Sequence, residues 1–377
     1  MGPGAPLDHG PEPAAPEHGE DLPVSDRPTE TPPSFAVRNG WDRDYPTWSE
    51  RDLPSYSGLG TYCKRDYLPD ATDLARRAPD VAIVGAPFDD AVSHRPGARF
   101  GPRAIRQATY TEGDHSLQLD VEPWTLLDVV DAGDANVAPA WLERGHAMIY
   151  RKLGEVLASG ALPIVLGGDH SITWPSATAV AEAVAPRKIG VVHFDAHADT
   201  AADDWGVLAG HGTPMRRLIE TGAVGGRNFI QVGLRGYWPG PAVFAWMASQ
   251  GMRWHKMREI EERGAEAIID DAIAEALDGP DLVYLSVDID VVDPGMAPGT
   301  GTPEPGGLLS RELLRAIRRI AGRVPLAAMD VVEVSPPYDH ADLTAMLAHR
   351  AVLEALSALA VRKRDGATVR LTREPAA

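Results

Sequence analysis

Ile189-Gly190-Val191-Val192-His193-Phe194-Asp195-Ala196-His197-Ala198-Asp199 is the stretch from which the fold of this chain can be read. Its first half is a short β-branched apolar run that reads as a strand, and its second half turns abruptly polar. The same switch occurs twice more. Leu162 to Leu166 runs into Gly167-Gly168-Asp169-His170-Ser171, and Tyr284-Leu285-Ser286-Val287 runs into Asp288-Ile289-Asp290, followed by Asp293-Pro294. In open parallel sheets ligands bind outside the carboxyl ends of the strands, so three such ends converge on one crevice.

Further runs of the first kind are Val81 to Ala86, Leu126 to Val130, Phe229 to Leu234 and Leu326 to Val332. Helical stretches fall between them, among them Ala140 to Ser159, Glu259 to Leu277, Ser310 to Ala321 and Leu343 to Val361. Alternation of this sort marks repeated βα units and an α/β fold around a mostly parallel central sheet. The chain of 377 residues, 44% of them hydrophobic, can bury a large core as one main domain, expected over residues 81–362. Residues 1–38 carry nine of the 33 prolines and no aliphatic periodicity, and are expected to be a disordered acidic tail. Residues 39–80, with Trp41, Tyr45, Trp48, Tyr56, Tyr62 and Tyr67, read as an ordered but irregular aromatic arm. Residues 363–377 read as a C-terminal tail.

Charge and cysteine content narrow the function classes. A formal net charge of −18 argues against nucleic acid or an anionic membrane surface as a partner. An acidic field favours cationic small molecules instead. No run of about 18 apolar residues and no signal-peptide pattern are present, so a cytoplasmic location is expected. Cys63 is the only cysteine, which excludes an intrachain disulfide and a Cys-rich zinc site.

Any metal must therefore be held by histidine and carboxylate. Alternating Asp-x-His-x-Asp on an extended segment would put all three side chains on one face, as would Asp288-x-Asp290. Several carboxylates buried together cost many kcal/mol unless cations compensate them. His170, Asp195, His197, Asp199, Asp288 and Asp290 supply two imidazoles and four carboxylates. That hard, oxygen-rich set suits two divalent ions sharing carboxylate bridges, with Mn2+ preferred and Ni2+ the alternative.

In order and approximate spacing, Gly-Gly-Asp-His-Ser, Asp-Ala-His-Ala-Asp and Ser-x-Asp-x-Asp-x-x-Asp-Pro resemble the three signature motifs of the ureohydrolase family, which contains the arginases and agmatinases. The likeness extends from about Val81 to Val361. It implies a three-layer α/β/α fold, a binuclear Mn2+ site on the six residues above and a homotrimer or homohexamer. The chemistry it implies is attack of metal-activated hydroxide on a guanidinium carbon with release of urea and an amine. Glu333, at the end of the run Leu326 to Val332, resembles the family's substrate-binding glutamate, and a carboxylate there can take two guanidinium N–H donors in a fork. His211, in Gly210-His211-Gly212-Thr213-Pro214, matches the family's catalytic histidine and would protonate the departing amine. His193 and His255 read as structural.

The residues with which arginases read the α-amino and α-carboxylate groups of arginine are missing between Asp199 and His211. The substrate is then agmatine or a guanidino acid: Asp203 and Asp204 would favour a distal ammonium, as in agmatine, and disfavour a distal carboxylate such as that of guanidinobutyrate. Arg216 and Arg217 would reverse that preference if they faced inward. Trp205, with the aromatic arm, could instead close the site around free guanidine. From other classes, a metal-dependent deacetylase or a non-catalytic scaffold remains the alternative.

Overall fold

The computed structural model describes Ser55 to Leu371. The tail expected over 1–38, the arm before Ser55 and the chain beyond Leu371 lie outside the described residues. The nine strands among the described residues are β1 (Asp66–Tyr67), β2 (Val81–Gly85), β3 (Val129–Asp134), β4 (Leu162–Leu166), β5 (Ile189–Phe194), β6 (Phe229–Leu234), β7 (Arg253–Lys256), β8 (Leu282–Asp288) and β9 (Leu326–Val332). They form one sheet in the order β1-β3-β2-β4-β9-β8-β5-β6-β7. Every pairing is parallel.

Alternate residues of the same strands feed two separate cores, as the two-residue period of a strand requires. Val81, Ile83, Leu162, Ile164, Val192 and Phe194 pack with helices Ala265–Ala276, Ser310–Arg323 and Leu343–Arg364 on one face. Ala82, Val84, Val165 and Val191 pack with helices Leu142–Ala158, Thr173–Val184 and Pro214–Glu220 on the other. The result is the expected three-layer α/β/α sandwich. Helix Leu343–Arg364 is long and apolar enough to cross a bilayer, but it is buried along most of its length and belongs to the core.

Chain order and spatial order part company at the middle of the sheet. After β4 the chain leaves for β5, and β8 and β9 later fill the gap between them. Registers Leu166↔Val331, Val332↔Asp288 and Val287↔Phe194 then set the four carboxyl ends side by side. This is the switch-point crevice that open α/β sheets offer to ligands.

Several elements differ from the sequence reading. The run Leu126 to Val130 is not a strand throughout: Pro123 opens a helical turn to Leu126, and the strand runs from Val129 to Asp134. Proline pre-sets a helical φ at that first position. The helix expected over Glu259 to Leu277 breaks at Gly264, whose φ of 86° no helix accommodates. β7 carries Arg253, His255 and Lys256 and is too polar to stand out, as edge strands often are.

The described part of the arm is more regular than expected. Asp70 caps helix Ala71–Arg77 through the backbone N–H groups of Thr72 and Asp73, and β1 extends the sheet edge. Tyr62 is fully buried; its backbone N–H donates to Asp131 Oδ2 (2.9 Å) and its hydroxyl to His349 O (2.9 Å). Beyond helix Leu343–Arg364, Leu371 returns to donate its N–H to Gly160 O (2.9 Å).

Arg106 ties this edge together. Its buried guanidinium donates to both oxygens of Asp131 (2.8 and 3.0 Å) and to Asp134 Oδ1 (2.6 Å). Removing one partner of a buried pair strands the other, at a cost of about 3 kcal/mol. Arg106→Ala should therefore lower the thermal midpoint by about 6 °C or more. A melt within about 1 °C of the parent would show that the pair adds nothing.

Candidate functional site

Four strand ends build the site, and glycine makes the first of them possible. A Cβ on Gly168 would lie 1.7 Å from Phe88 O, and one on Gly167 would lie 2.5 Å from Val332 Cγ1. Two glycines therefore let the segment after β4 pass between the ends of β2 and β9. Asp169 next caps the turn His170–Ile172 through Ser171 N and also accepts from Ala91 N (3.0 Å). The His170 imidazole is left fully buried at the centre of the crevice.

All six residues expected to hold metal come together. His170 Nδ1 lies 3.1 Å from Asp195 Oδ2, 3.0 Å from Asp199 Oδ2 and 3.0 Å from Asp288 Oδ2. His197 Nδ1 lies 3.0 Å from Asp290 Oδ2 and 3.5 Å from Asp195 Oδ1. The two oxygens of Asp195 thus face two neighbouring clusters. The convergence is not produced by strand alternation, however. Asp195 accepts from His197 N (2.6 Å) and Asp288 from Asp290 N (2.8 Å), so each carboxylate bends its chain out of the strand, and Asp199 adopts a left-handed φ of 49°.

Proton accounting at His170 tests whether a cation fits. Ser286 Oγ donates its one proton to Asp330 Oδ1 (2.7 Å), so it must accept from His170 Nε2–H (3.0 Å). In the neutral ring Nδ1 then carries a lone pair, and it has no hydrogen-bond partner. A lone pair ringed by three carboxylate oxygens is repulsive unless a proton or a metal ion sits among them. Among the described residues only histidines pair with these carboxylates. Burial pushes His170 down, yet Asp195, Asp199 and Asp288 outweigh it and hold it well above its ordinary range. Burial, then Asp290 and Asp195, drive Asp288 well above the usual carboxylate range. Protons gather where positive charge is lacking, and the donor set fits divalent cations.

Glu333 and His211 form the adjoining group. Glu333 is buried and holds a left-handed φ of 62°, an unusual conformation for a long side chain. Its Oε1 accepts from His170 N (2.8 Å) and from His211 Nδ1 (2.9 Å), while Oε2 has no partner. Burial lowers His211, but the Glu333 carboxylate more than reverses this and raises it to about 9.

A cavity of about 470 Å³ opens over these groups, lined by His197, Asp199, Asp203, Asp204, His211 and Asp288 among others. Asp203 accepts from Gly206 N (2.7 Å), and Asp204 from Gly212 N (2.9 Å), so Asp204 clamps the turn that carries His211. Trp205 stands at the mouth, 85% exposed. Arg216 pairs with Glu220 over the Trp246 ring, and Arg217 reaches Ala202 O and Glu220; neither lines the cavity.

Sequence reasoning missed four residues here. Ser93 and Trp238 line the cavity, and Trp238 lies edge-on to His197 at 6.0 Å. His193 Nε2 lies 2.8 Å from Asp195 Oδ2, with Gln231 Nε2 at its other nitrogen (3.0 Å). It supports a candidate ligand rather than only the core. Asp330 accepts from Thr173, Tyr284 and Ser286 at 2.7 Å each and stands behind His170. The available signal was a polar residue inside an apolar strand for His193 and Asp330, and for Ser93 a polar cluster following β2.

Comparison with known proteins agrees with this geometry. The model of the Arginase family matches residues 79–358. Proclavaminate amidinohydrolase of Streptomyces clavuligerus is 41% identical over 297 residues, covering 78% of this chain and 91% of that protein. The mitochondrial agmatinase of Gallus gallus is 39% identical over 282 residues, covering 74% and 81%. The solved structure of the Streptomyces clavuligerus enzyme superposes with a TM-score of 0.75 at 37% identity, covering 82% of this chain and 99% of that one.

A variant carrying both Asp195→Asn and Asp288→Asn should fold yet retain almost no bound metal, because both side chains compensate charge rather than fill core. Metal analysis of the purified protein, with circular dichroism as the folding control, checks this. Unchanged metal content would refute the site.

Proposed function

The chain belongs to the arginase family, whose members are metal-dependent amidinohydrolases, and we propose that it hydrolyses a guanidino compound with a cationic or neutral tail, releasing urea and an amine. His170, Asp195, Asp199 and Asp288 would hold one divalent ion, and His197, Asp195 and Asp290 the other, with Mn2+ preferred and Ni2+ the alternative. When bound, such a pair supplies hydroxide near neutral pH and neutralises the carboxylates.

The observation that carries this reading is Glu333. A buried carboxylate oxygen without a partner, beside a second acidic cluster, is costly unless the ligand brings donors and positive charge. A guanidinium brings both. Oε1 is already taken by His170 N and His211 Nδ1, so the cation would rest mainly on Oε2 rather than in the symmetrical fork expected from sequence. Holding the planar cation there orients its carbon and limits its rotation.

The cavity wall favours one kind of tail. Asp199, Asp203, Asp204 and Asp288 line it, and among the described residues no Lys or Arg does. A distal carboxylate would meet the repulsion of these four carboxylates, whereas a distal ammonium could reach the Asp203 oxygen not used by Gly206. At about 470 Å³ the cavity has room for an aliphatic tail. The Trp205 and Trp238 rings favour a second reading, free guanidine stacked between aromatic walls.

Urea release from a panel of guanidino compounds, with Mn2+ and Ni2+, separates these. A partly desolvated charge contact of about 1.5 to 3 kcal/mol should give agmatine at least about a tenfold advantage in kcat/KM over guanidinobutyrate. Asp203→Asn should shrink that advantage. Urea from free guanidine alone would overturn the tailed-substrate reading.

A further inference from the structure

His211 does not face the cavity with a free nitrogen. Nδ1 is 2.9 Å from Glu333 Oε1, and Nε2 receives the Ser93 backbone N–H at 3.0 Å with Ser93 Oγ at 2.6 Å. A backbone N–H can only donate, so in this arrangement Nε2 is an acceptor and the proton of the neutral ring sits on Nδ1. Nδ1 is engaged by Glu333, so the atom from which His211 can exchange a proton without passing through that carboxylate is Nε2, and Ser93 stands at that atom. The Ser93 hydroxyl can donate and accept, and Ser93 itself lines the cavity.

Nor is Ser93 loosely held. Two residues before it, Ala91 donates its N–H to Asp169 Oδ2 (3.0 Å) and accepts from His211 N (3.1 Å). Four residues after it, Gly97 donates to Asp89 Oδ2 (2.7 Å), and a Cβ on Gly97 would lie 2.5 Å from Ser335 Oγ. The segment after β2 is thus fastened to the ends of β4 and β9, and it sets the hydroxyl against the imidazole.

We propose that Ser93 is a further catalytic residue, its hydroxyl carrying the proton from His211 to the departing amine. The inference rests on the guanidine hydrolysis proposed above. As the C–N bond breaks, its electron pair goes to nitrogen, which takes the Ser93 Oγ–H proton. Oγ takes the proton from Nε2 of the protonated His211. The net transfer is one proton from imidazolium to amine, with serine unchanged. Neutral His211 is then free to accept the Ser93 backbone N–H again.

Ser93→Ala keeps the backbone N–H and removes only the relay atom. It should lower kcat by about 100-fold, the lower end of the usual range for positioned proton transfer, with KM, bound metal and thermal midpoint close to the parent. The loss should shrink for a substrate analogue fluorinated beside the departing nitrogen, since a less basic amine leaves with less help, and Ser93→Thr should recover most of the rate. A purely structural role would not produce that dependence on the leaving amine. A kcat within about twofold of the parent, a loss confined to KM or bound metal, or an equal loss on both substrates overturns the relay. If the parent protein releases no urea from any guanidino compound, the proposed function fails and the relay with it; urea release with an unimpaired Ser93→Ala overturns the relay alone.

Discussion

Asp195, Asp199, Asp288 and Asp290 meet in a crevice that water barely enters, and their mutual repulsion is the constraint from which the rest of the site follows. Buried carboxylates cost several kcal/mol each when uncompensated, and no arginine or lysine side chain pairs with them among the described residues. The three histidines that pair with them, His170, His193 and His197, are insufficient, and Asp288 is driven towards its neutral form. Divalent cations relieve this with the highest charge in the smallest volume. The local need for positive charge also matches the acidity of the whole chain, whose net charge of −18 draws small cations towards it.

A second tier of polar residues makes that crowding orderly. Ser286 and Asp330 decide which nitrogen of His170 faces the carboxylates, with Tyr284 and Thr173 completing the shell of Asp330. Gln231 and His193 do the same behind Asp195. Ser286, Tyr284, Asp330, Gln231 and His193 sit within central strands, where side-chain direction is set by the pleat and leaves little rotational freedom. Strain is confined to the segments beyond them. Asp199 and Glu333, both left-handed, carry their carboxylates into positions that ordinary extended backbone would not reach.

The chain of hydrogen bonds from Glu333 through His211 to Ser93 orders the adjoining part of the site. One oxygen of Glu333 is occupied by protein donors, which fixes the carboxylate, while the other has no partner among the described residues. Asp204, read from sequence as a partner for substrate, also holds the Gly210 to Gly212 turn by accepting from Gly212 N, and so acts on His211 through the backbone.

The sheet and most of the donor set were legible in the linear order of residues. Apolar runs that end in Asp, His and Gly reveal strands and their carboxyl ends, because both properties are local and the position of a parallel strand's end is fixed by its own sequence. That is why His170, Asp195, His197, Asp199, Asp288 and Asp290 could be singled out in advance, whereas His211 and the role of Glu333 rested on resemblance to family motifs. What the linear order could not supply was the neighbour of each. Which strand lies beside which was settled by the crossover that leaves room for β8 and β9 between β4 and β5. Only that arrangement brings Ser286 under His170, fastens the segment after β2 over the site and sets Ser93 against His211. Orientation was equally hidden, since a carboxylate's partner depends on turns such as those at Asp195 and Asp288, where a side chain captures its own backbone two residues on. Residue type reports the chemistry a position can perform; hydrogen-bond partners 44 to 163 residues apart in the chain, as at Ser286 to Asp330 and Glu333 to His170, determine which of it is available.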